Sequence, residues 1–529
     1  MKRFFSHFLI AAAVLGALLS AAATAGDDAE KPAAEKPAEK AAEATPAPVD
    51  GPFPAPPAVE KISKTEHSIT VRGDKISYTA LSGTLLLKKE NEKPRASIFF
   101  TSYTRTGAGD SAQRPITFVF NGGPGSSSVW LHMGALGPKR VEMGPEGQQP
   151  PPPYHLIDND DTALTFTDLV FIDPVSTGFS RPAPGENPQQ FHGLEGDLES
   201  VGDFIRLYLT RYERWASPKF LAGESYGTTR ASALSLHLLS ERGIYLNGIT
   251  LISSVLNFET LETTSGNDLP YILFLPSFTA AAWYHKKLGP DLQKEKLAAV
   301  VEEARRFAAG DYTLALMKGA QLGAAERDAA AKRMARLTGL PEDYILRSNL
   351  RVREFKFFTE LLRDQRRAIG RYDSRLVGIP ADPTGDNFDY DPSYASVQGA
   401  YTAMFNAYVR SELKYSSDLP YEILTGKVQP WSWNQYQNQF VDVSERLRAA
   451  ITQNPSLHVL IANGYYDMAT PFFATEYTVN HLGLDPSLQG NVSLTYCEAG
   501  HMLYTKKSCL ESLHASMEDL YRRSLAGAH

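Results

Sequence analysis

Phe220-Leu221-Ala222-Gly223-Glu224-Ser225-Tyr226-Gly227 runs a short apolar strand into a serine with glycines on both sides of it. The stretch that follows, residues 228–241, has helical spacing, so Ser225 falls on a strand-to-helix turn. A turn that sharp leaves no room for side chains, which explains Gly223 and Gly227. A bare G-x-S-x-G string carries little weight; its setting between strand and helix carries much more. Working outward, short apolar runs recur at 116–120, 169–172, 249–253, 458–462 and 492–496, and helical stretches lie at 198–212 and 510–523. Around Arg72-Gly73-Asp74, the runs 68–71 and 83–87 read as antiparallel strands. Strands and helices alternating in this way predict an α/β fold with a mostly parallel central sheet flanked by helices.

A serine hydroxyl is a weak nucleophile at neutral pH, so a base must take its proton and a carboxylate must orient that base. On this topology the order along the chain is Ser, then Asp or Glu, then His, with the partners on loops after later strands. Asp467 follows the run ending Ile461-Ala462-Asn463-Gly464, and His501 follows 492–496 within Ala499-Gly500-His501-Met502. A second element, Asn121-Gly122-Gly123-Pro124-Gly125-Ser126-Ser127-Ser128, comes directly after the run 116–120. It lacks the G-K-[ST] ending of a phosphate-binding loop. In a serine hydrolase such a loop points a backbone N–H at the developing oxyanion, the second N–H coming from Tyr226, the residue after the nucleophile.

These blocks, with Phe171-Ile172-Asp173-Pro174-Val175-Ser176-Thr177-Gly178-Phe179-Ser180 and Asp467 followed by Pro471, together resemble the serine carboxypeptidases. They occur in that family's order, and the insertion and cysteine pattern look closer to its bacterial, secreted branch. The resemblance implies an α/β-hydrolase fold, with Ser225 as nucleophile, His501 as general base and then acid, and Asp467 as the orienting carboxylate. It implies Gly123 and Tyr226 as oxyanion donors, and Asn121 and Glu224 as binders of the substrate's free C-terminal carboxylate. Two carboxyl groups approach closely only by sharing a proton, which raises the pKa of the pair and favours peptide binding at acidic pH. The chain departs from the family at Ser126, where a cysteine is usual, at Val119, where tryptophan is common, and at Thr470, often cysteine.

The remaining sequence sets the context. Lys2 and Arg3, an apolar stretch over 8–19 and Ala23-Thr24-Ala25 read as a secretory signal (1–25), cleaved after Ala25 and directing the chain to the periplasm or medium. Residues 26–58 are an Ala/Pro/Glu/Lys-rich linker without a core to form. Residues 59–260 and 430–529 supply the two parts of the sheet domain, and 261–429, where helical spacing replaces strands, supply a mainly helical insertion covering the site. Helices are expected over 297–307 and 324–337, the latter stopped at Gly339, and over 344–372. With 53 Lys+Arg against 60 Asp+Glu the formal charge is -7, and no basic run occurs, so a nucleic-acid partner is not expected. No membrane span follows the leader. Cys497 and Cys509 could pair in an oxidising compartment. The expected partner is therefore a peptide C-terminus, with no metal or organic cofactor. Three rivals stand beside this: an esterase or acyltransferase on the same fold, for which Glu224 would have no task; a zinc peptidase using His192 and Glu195, whose third ligand is not evident; and a secreted binding protein that keeps the fold without catalysis, against which all three triad candidates are present.

Overall fold

The computed structural model describes residues 58–110 and 112–526; the expected signal and all but the last residue of the linker lie outside the described residues. The sheet strands are β1 (Ile62–Val71), β2 (Asp74–Lys88), β3 (Pro94–Arg105), β4 (Ile116–Phe120), β5 (Asp168–Ile172), β6 (Lys219–Ser225), β7 (Gly248–Ser254), β8 (His458–Gly464) and β9 (Val492–Cys497). Their spatial order is β1-β2-β3-β5-β4-β6-β7-β8-β9, with Arg181–Pro182 pairing on β3. From β5 to β9 every pairing is parallel, while β1, β2 and β3 extend the sheet antiparallel.

Alternation along β4 shows why its five residues are all apolar or buried. Ile116, Phe118 and Phe120 pack on one face with α1 (Leu194–Arg211), α2 (Tyr226–Arg242) and α7 (Ser444–Gln453). Val119, with Phe220, Ala222 and Leu460 from neighbouring strands, packs on the other face against Leu513, Met517 and Leu520 of α9 (Lys507–Leu525). A strand covered on both sides has no polar face to offer, hence the continuous apolar runs in the sequence. Each such side chain taken fully out of water contributes about 1.5–3 kcal/mol.

Between β7 and β8 the chain is mainly helical: α3 (Leu269–Tyr284), α4 (Leu297–Phe307), α5 (Ala324–Thr338) and α6 (Pro392–Ser411), with shorter turns among them. Phe278, Val300, Phe307, Met334 and Phe357 form a core of this segment's own, into which Met468 projects from the loop after β8. Gly339 ends α5 at φ 70°, the left-handed cap that glycine adopts without strain. The expected helical stretch over 344–372 is broken. Glu342–Arg347 and Glu354–Glu360 are separate short helices, and Ala368–Ile369 pairs with Val377–Gly378. Asn349 and Leu350 take positive φ, and the buried Tyr312 hydroxyl donates to Leu350 O (2.6 Å), so a tertiary hydrogen bond replaces helical continuity. Between β8 and β9 lies α8 (Phe472–Asn480), after the loop carrying Asp467.

Candidate active site

Ser225 ends β6 with φ 60° and ψ −132°, a conformation that costs a non-glycine residue about 1–3 kcal/mol and persists only where the surroundings impose it. The surroundings are backbone on all sides. A Cβ on Gly223 would lie 2.2 Å from Gly227 O, and one on Gly227 would lie 2.9 Å from Phe120 O. The Thr228 hydroxyl donates to Ser225 O at 2.7 Å, and Tyr226 N opens helix α2. The glycine loop after β4 runs directly across this helix start: a Cβ on Gly122 would sit 2.4 Å from Tyr226 N. Gly123 follows at φ 103°. Two backbone segments bearing N–H groups are thus brought side by side next to the serine, the arrangement an oxyanion needs.

Buried side chains fix the glycine loop. Asp173 accepts from Ser128 N (2.9 Å) and Ser128 Oγ (2.8 Å); its burial pushes the pKa up to about 6 against those hydrogen bonds. Ser126, where a cysteine was expected by resemblance, donates to Ile423 O and accepts from Trp130 Nε1 (2.9 Å), so hydrogen bonds tie this loop to the 420s. Val119 is buried inside the sheet. Arg230, 1% exposed, lies beneath the turn and donates to Asn121 O (2.6 Å) and to Asp197 Oδ2 (2.7 Å).

Asp467 and His501 come from the ends of β8 and β9 and meet. His501 Nδ1 donates to Asp467 Oδ2 at 2.8 Å; the same oxygen accepts from Thr470 Oγ1 (2.7 Å), and Oδ1 accepts from Ala469 N and Thr470 N. Burial disfavours the charged imidazole, but the Asp467 carboxylate and, beyond it, Glu224 outweigh burial, and the His501 pKa ends above its ordinary value. No hydrogen bond joins Ser225 Oγ to His501 among the described residues. Both line one cleft, and such contacts commonly close only with substrate bound.

Glu224 and Asn121 line the same cleft. Asn121 Oδ1 accepts from Leu131 N (3.1 Å), which aims Nδ2 at Glu224 Oε1, also 3.1 Å away. Glu224 is 3% exposed, and burial pushes its pKa up to about 7, against the pull of His501, of the nearby Tyr504 hydroxyl and of the Asn121 amide. A carboxyl that is neutral near pH 7 can donate a hydrogen bond to another carboxylate.

The rest of the cleft is apolar and aromatic: Trp130, Tyr372, Tyr394, Leu424 and Met502. Of these only Met502 stood in a motif read from the sequence. Residues 370–375 hold the loops that carry Asp467 and His501: Tyr372 O accepts from His501 N (2.6 Å), Asp373 Oδ2 from Gly500 N (3.2 Å) and Arg371 O from Met468 N (3.1 Å). The Tyr372 ring also lies against His501, centroids 5.1 Å apart. Trp431 and Trp433 pack on Tyr226. His192 instead hydrogen-bonds Ser176 Oγ (2.9 Å), and Glu195 accepts from Arg446 and Gln435, so both residues of the zinc rival are engaged elsewhere. Cys497 and Cys509 are joined as a disulfide.

A family model described as serine carboxypeptidase matches residues 76–495. The pheromone-processing carboxypeptidase KEX1 of Saccharomyces cerevisiae (strain ATCC 204508 / S288c) is 32% identical over 144 residues, which cover 26% of this chain and only 18% of that relative. The crystal structure of Kex1(delta)p, a prohormone-processing carboxypeptidase from Saccharomyces cerevisiae, superposes with a TM-score of 0.50 at 16% identity, over 83% of this chain and 91% of that one. At that identity the likeness is one of fold, the α/β-hydrolase fold expected from the sequence.

Proposed function

The chain belongs to the serine carboxypeptidase family, and from that premise we propose that it removes C-terminal amino acids from peptides through an acyl-enzyme on Ser225. The observation that carries the reading is the buried Asn121–Glu224 pair beside the nucleophile, because a neutral carboxyl next to an amide donor is what a terminal carboxylate requires and an ordinary ester does not. His501 takes the Ser225 proton as the serine attacks the scissile carbonyl, and Asp467 holds the imidazole in the tautomer that leaves Nε2 free to accept. The Gly123 and Tyr226 N–H groups receive the oxyanion. His501 then gives its proton to the departing amino group, and a water activated by the same ring hydrolyses the acyl-enzyme.

The leaving residue's side chain lies among Trp130, Tyr372, Tyr394, Leu424 and Met502, which offer it no opposite charge. Residues 1–25 act as a secretory leader, and the Cys497–Cys509 disulfide supports an oxidising destination, the periplasm or medium. The test is release of the C-terminal amino acid from an N-blocked dipeptide by the wild type and by Ser225→Ala, with the C-terminal amide as control. Release that requires both Ser225 and the free carboxylate is expected. Ser225-dependent cleavage of simple esters, with the free acid no better than the amide, would overturn it in favour of an esterase or acyltransferase.

A further inference from the structure

Three buried polar atoms next to the cleft close no hydrogen bond: Glu224 Oε2, the Tyr504 hydroxyl and the Tyr401 hydroxyl. Buried polar groups without partners are costly and uncommon, so three together beside a nucleophile call for a reason. Tyr504 follows His501 by three residues in the turn Leu503–Thr505, and Tyr401 lies on α6; both are buried. The Tyr504 hydroxyl faces the Glu224 carboxyl and the Asn121 amide together. Gly134 makes the arrangement possible: a Cβ there would lie 2.4 Å from Tyr401 Oη and 2.6 Å from Tyr504 Cε2. The two phenol rings therefore share a space cleared by one missing side chain.

We propose that Tyr504, backed by Tyr401, is a positioning residue for the substrate's terminal carboxylate: its phenol closes onto Glu224 Oε2 when peptide binds and fixes that carboxyl toward the cleft. The proposal rests on the reading of Asn121 and Glu224 as the carboxylate site. The hydrogen-bond inventory allows it. Asn121 Nδ2 has spent one hydrogen on Glu224 Oε1 and keeps a second for the substrate, and a protonated carboxyl retains acceptor capacity for the phenol while its own proton is shared with the peptide. The other groups that act on Glu224 are His501 and Asp467 from the loops after β9 and β8, and Tyr372 from the 370–375 segment. The Tyr504 hydroxyl beside Glu224 favours the ionised form of that carboxyl. Its loss moves the pKa upward as well as loosening the side chain.

The test compares Tyr504→Phe with wild type on an N-blocked dipeptide and on its C-terminal amide across pH 5 to 9. Expected is a rise in KM for the free acid of up to about tenfold, as for losing one hydrogen bond, with kcat changed by less than about twofold. The pH at which KM begins to climb moves upward, and the amide's kinetics do not share either change. Affinity of the Ser225→Ala protein for an N-blocked amino acid, by calorimetry with and without Tyr504→Phe, should weaken by the same factor. Should Tyr504→Phe fail to fold in a thermal melt, Tyr401→Phe replaces it, with a KM increase in the same direction of about threefold. An unchanged KM and unchanged pH midpoint in a folded variant, or equal losses on acid and amide, would overturn the proposal while leaving the exopeptidase reading standing. A wild type indifferent to the free carboxylate would overturn both.

Discussion

Two ionisations with opposite demands meet at Ser225. In the proposed mechanism His501 must be neutral to accept the serine proton, and its pKa is raised, so kcat should fall as pH drops through a value above the ordinary imidazole range. In the same mechanism Glu224 must be protonated to share its proton with the substrate, and burial pushes its pKa up to about 7, so KM for free-acid peptides should rise as pH climbs past that point. The expected result is a narrow bell for peptides, with no alkaline limb for esters lacking a carboxylate; identical profiles for the two substrates in a pH-rate series would refute the role of Glu224. Asp467→Asn should lower kcat by about 10⁴-fold through the wrong imidazole tautomer. Thr470→Val removes the hydroxyl that donates to Asp467 Oδ2 and lies 3.3 Å from His501 Nδ1, and the expected loss in kcat is about tenfold at unchanged folding, by steady-state kinetics and a thermal melt. Ser225, Asp467 and His501 could be singled out in the sequence because each chemical role admits few residue types and the topology fixes their order. Tyr372, Tyr394, Tyr401 and Tyr504 could not, because nothing local tells an aromatic residue which cavity it will face. Arg230 was equally hidden: an arginine on a helix reads as solvent-facing until its burial against Asp197 is seen.

Among the elements, the strands were legible because burial on both faces leaves runs such as 116–120 and 169–172 almost wholly apolar, whereas their spatial order, with β5 between β3 and β4, was not read from the sequence. The 344–372 stretch was not, since the tertiary bond from Tyr312 to Leu350 O overrides its spacing. The disulfide ties the end of β9 to the first turn of α9 and so encloses the His501 loop in a closed ring of chain. Replacing both cysteines by serine should destabilise the fold by about 3 kcal/mol on loop-closure grounds, read by urea denaturation, and should lower kcat more than it raises KM. Beneath the serine turn, Arg230 joins β4, α1 and α2 at one point. Arg230→Met leaves Asp197 buried and unpaired, and the expected cost is about 3–5 kcal/mol by the same measurement.

At the scale of the whole molecule, the candidate site is assembled from chain ends far apart in sequence, Asn121 to His501, and closed from the side by residues 370–375. The parallel sheet explains the first part: loops at the carboxyl ends of neighbouring strands converge whatever the distance along the chain. The aromatic cleft predicts selectivity. With one free-acid series, kcat/KM should favour Phe, Leu or Met as the leaving residue over Lys, Arg or Asp by about tenfold or more, and a preference for charged leaving residues would contradict the cleft as described. The cross-bracing by residues 370–375 has a further consequence. Because Tyr372 O, Asp373 and Arg371 O carry backbone bonds from both the acid and the base loops, the helical segment between β7 and β8 is no detachable lid. Trimming it away to obtain a smaller hydrolase would release the very loops to be kept, so any pared-down scaffold has to carry those six residues along as part of its frame.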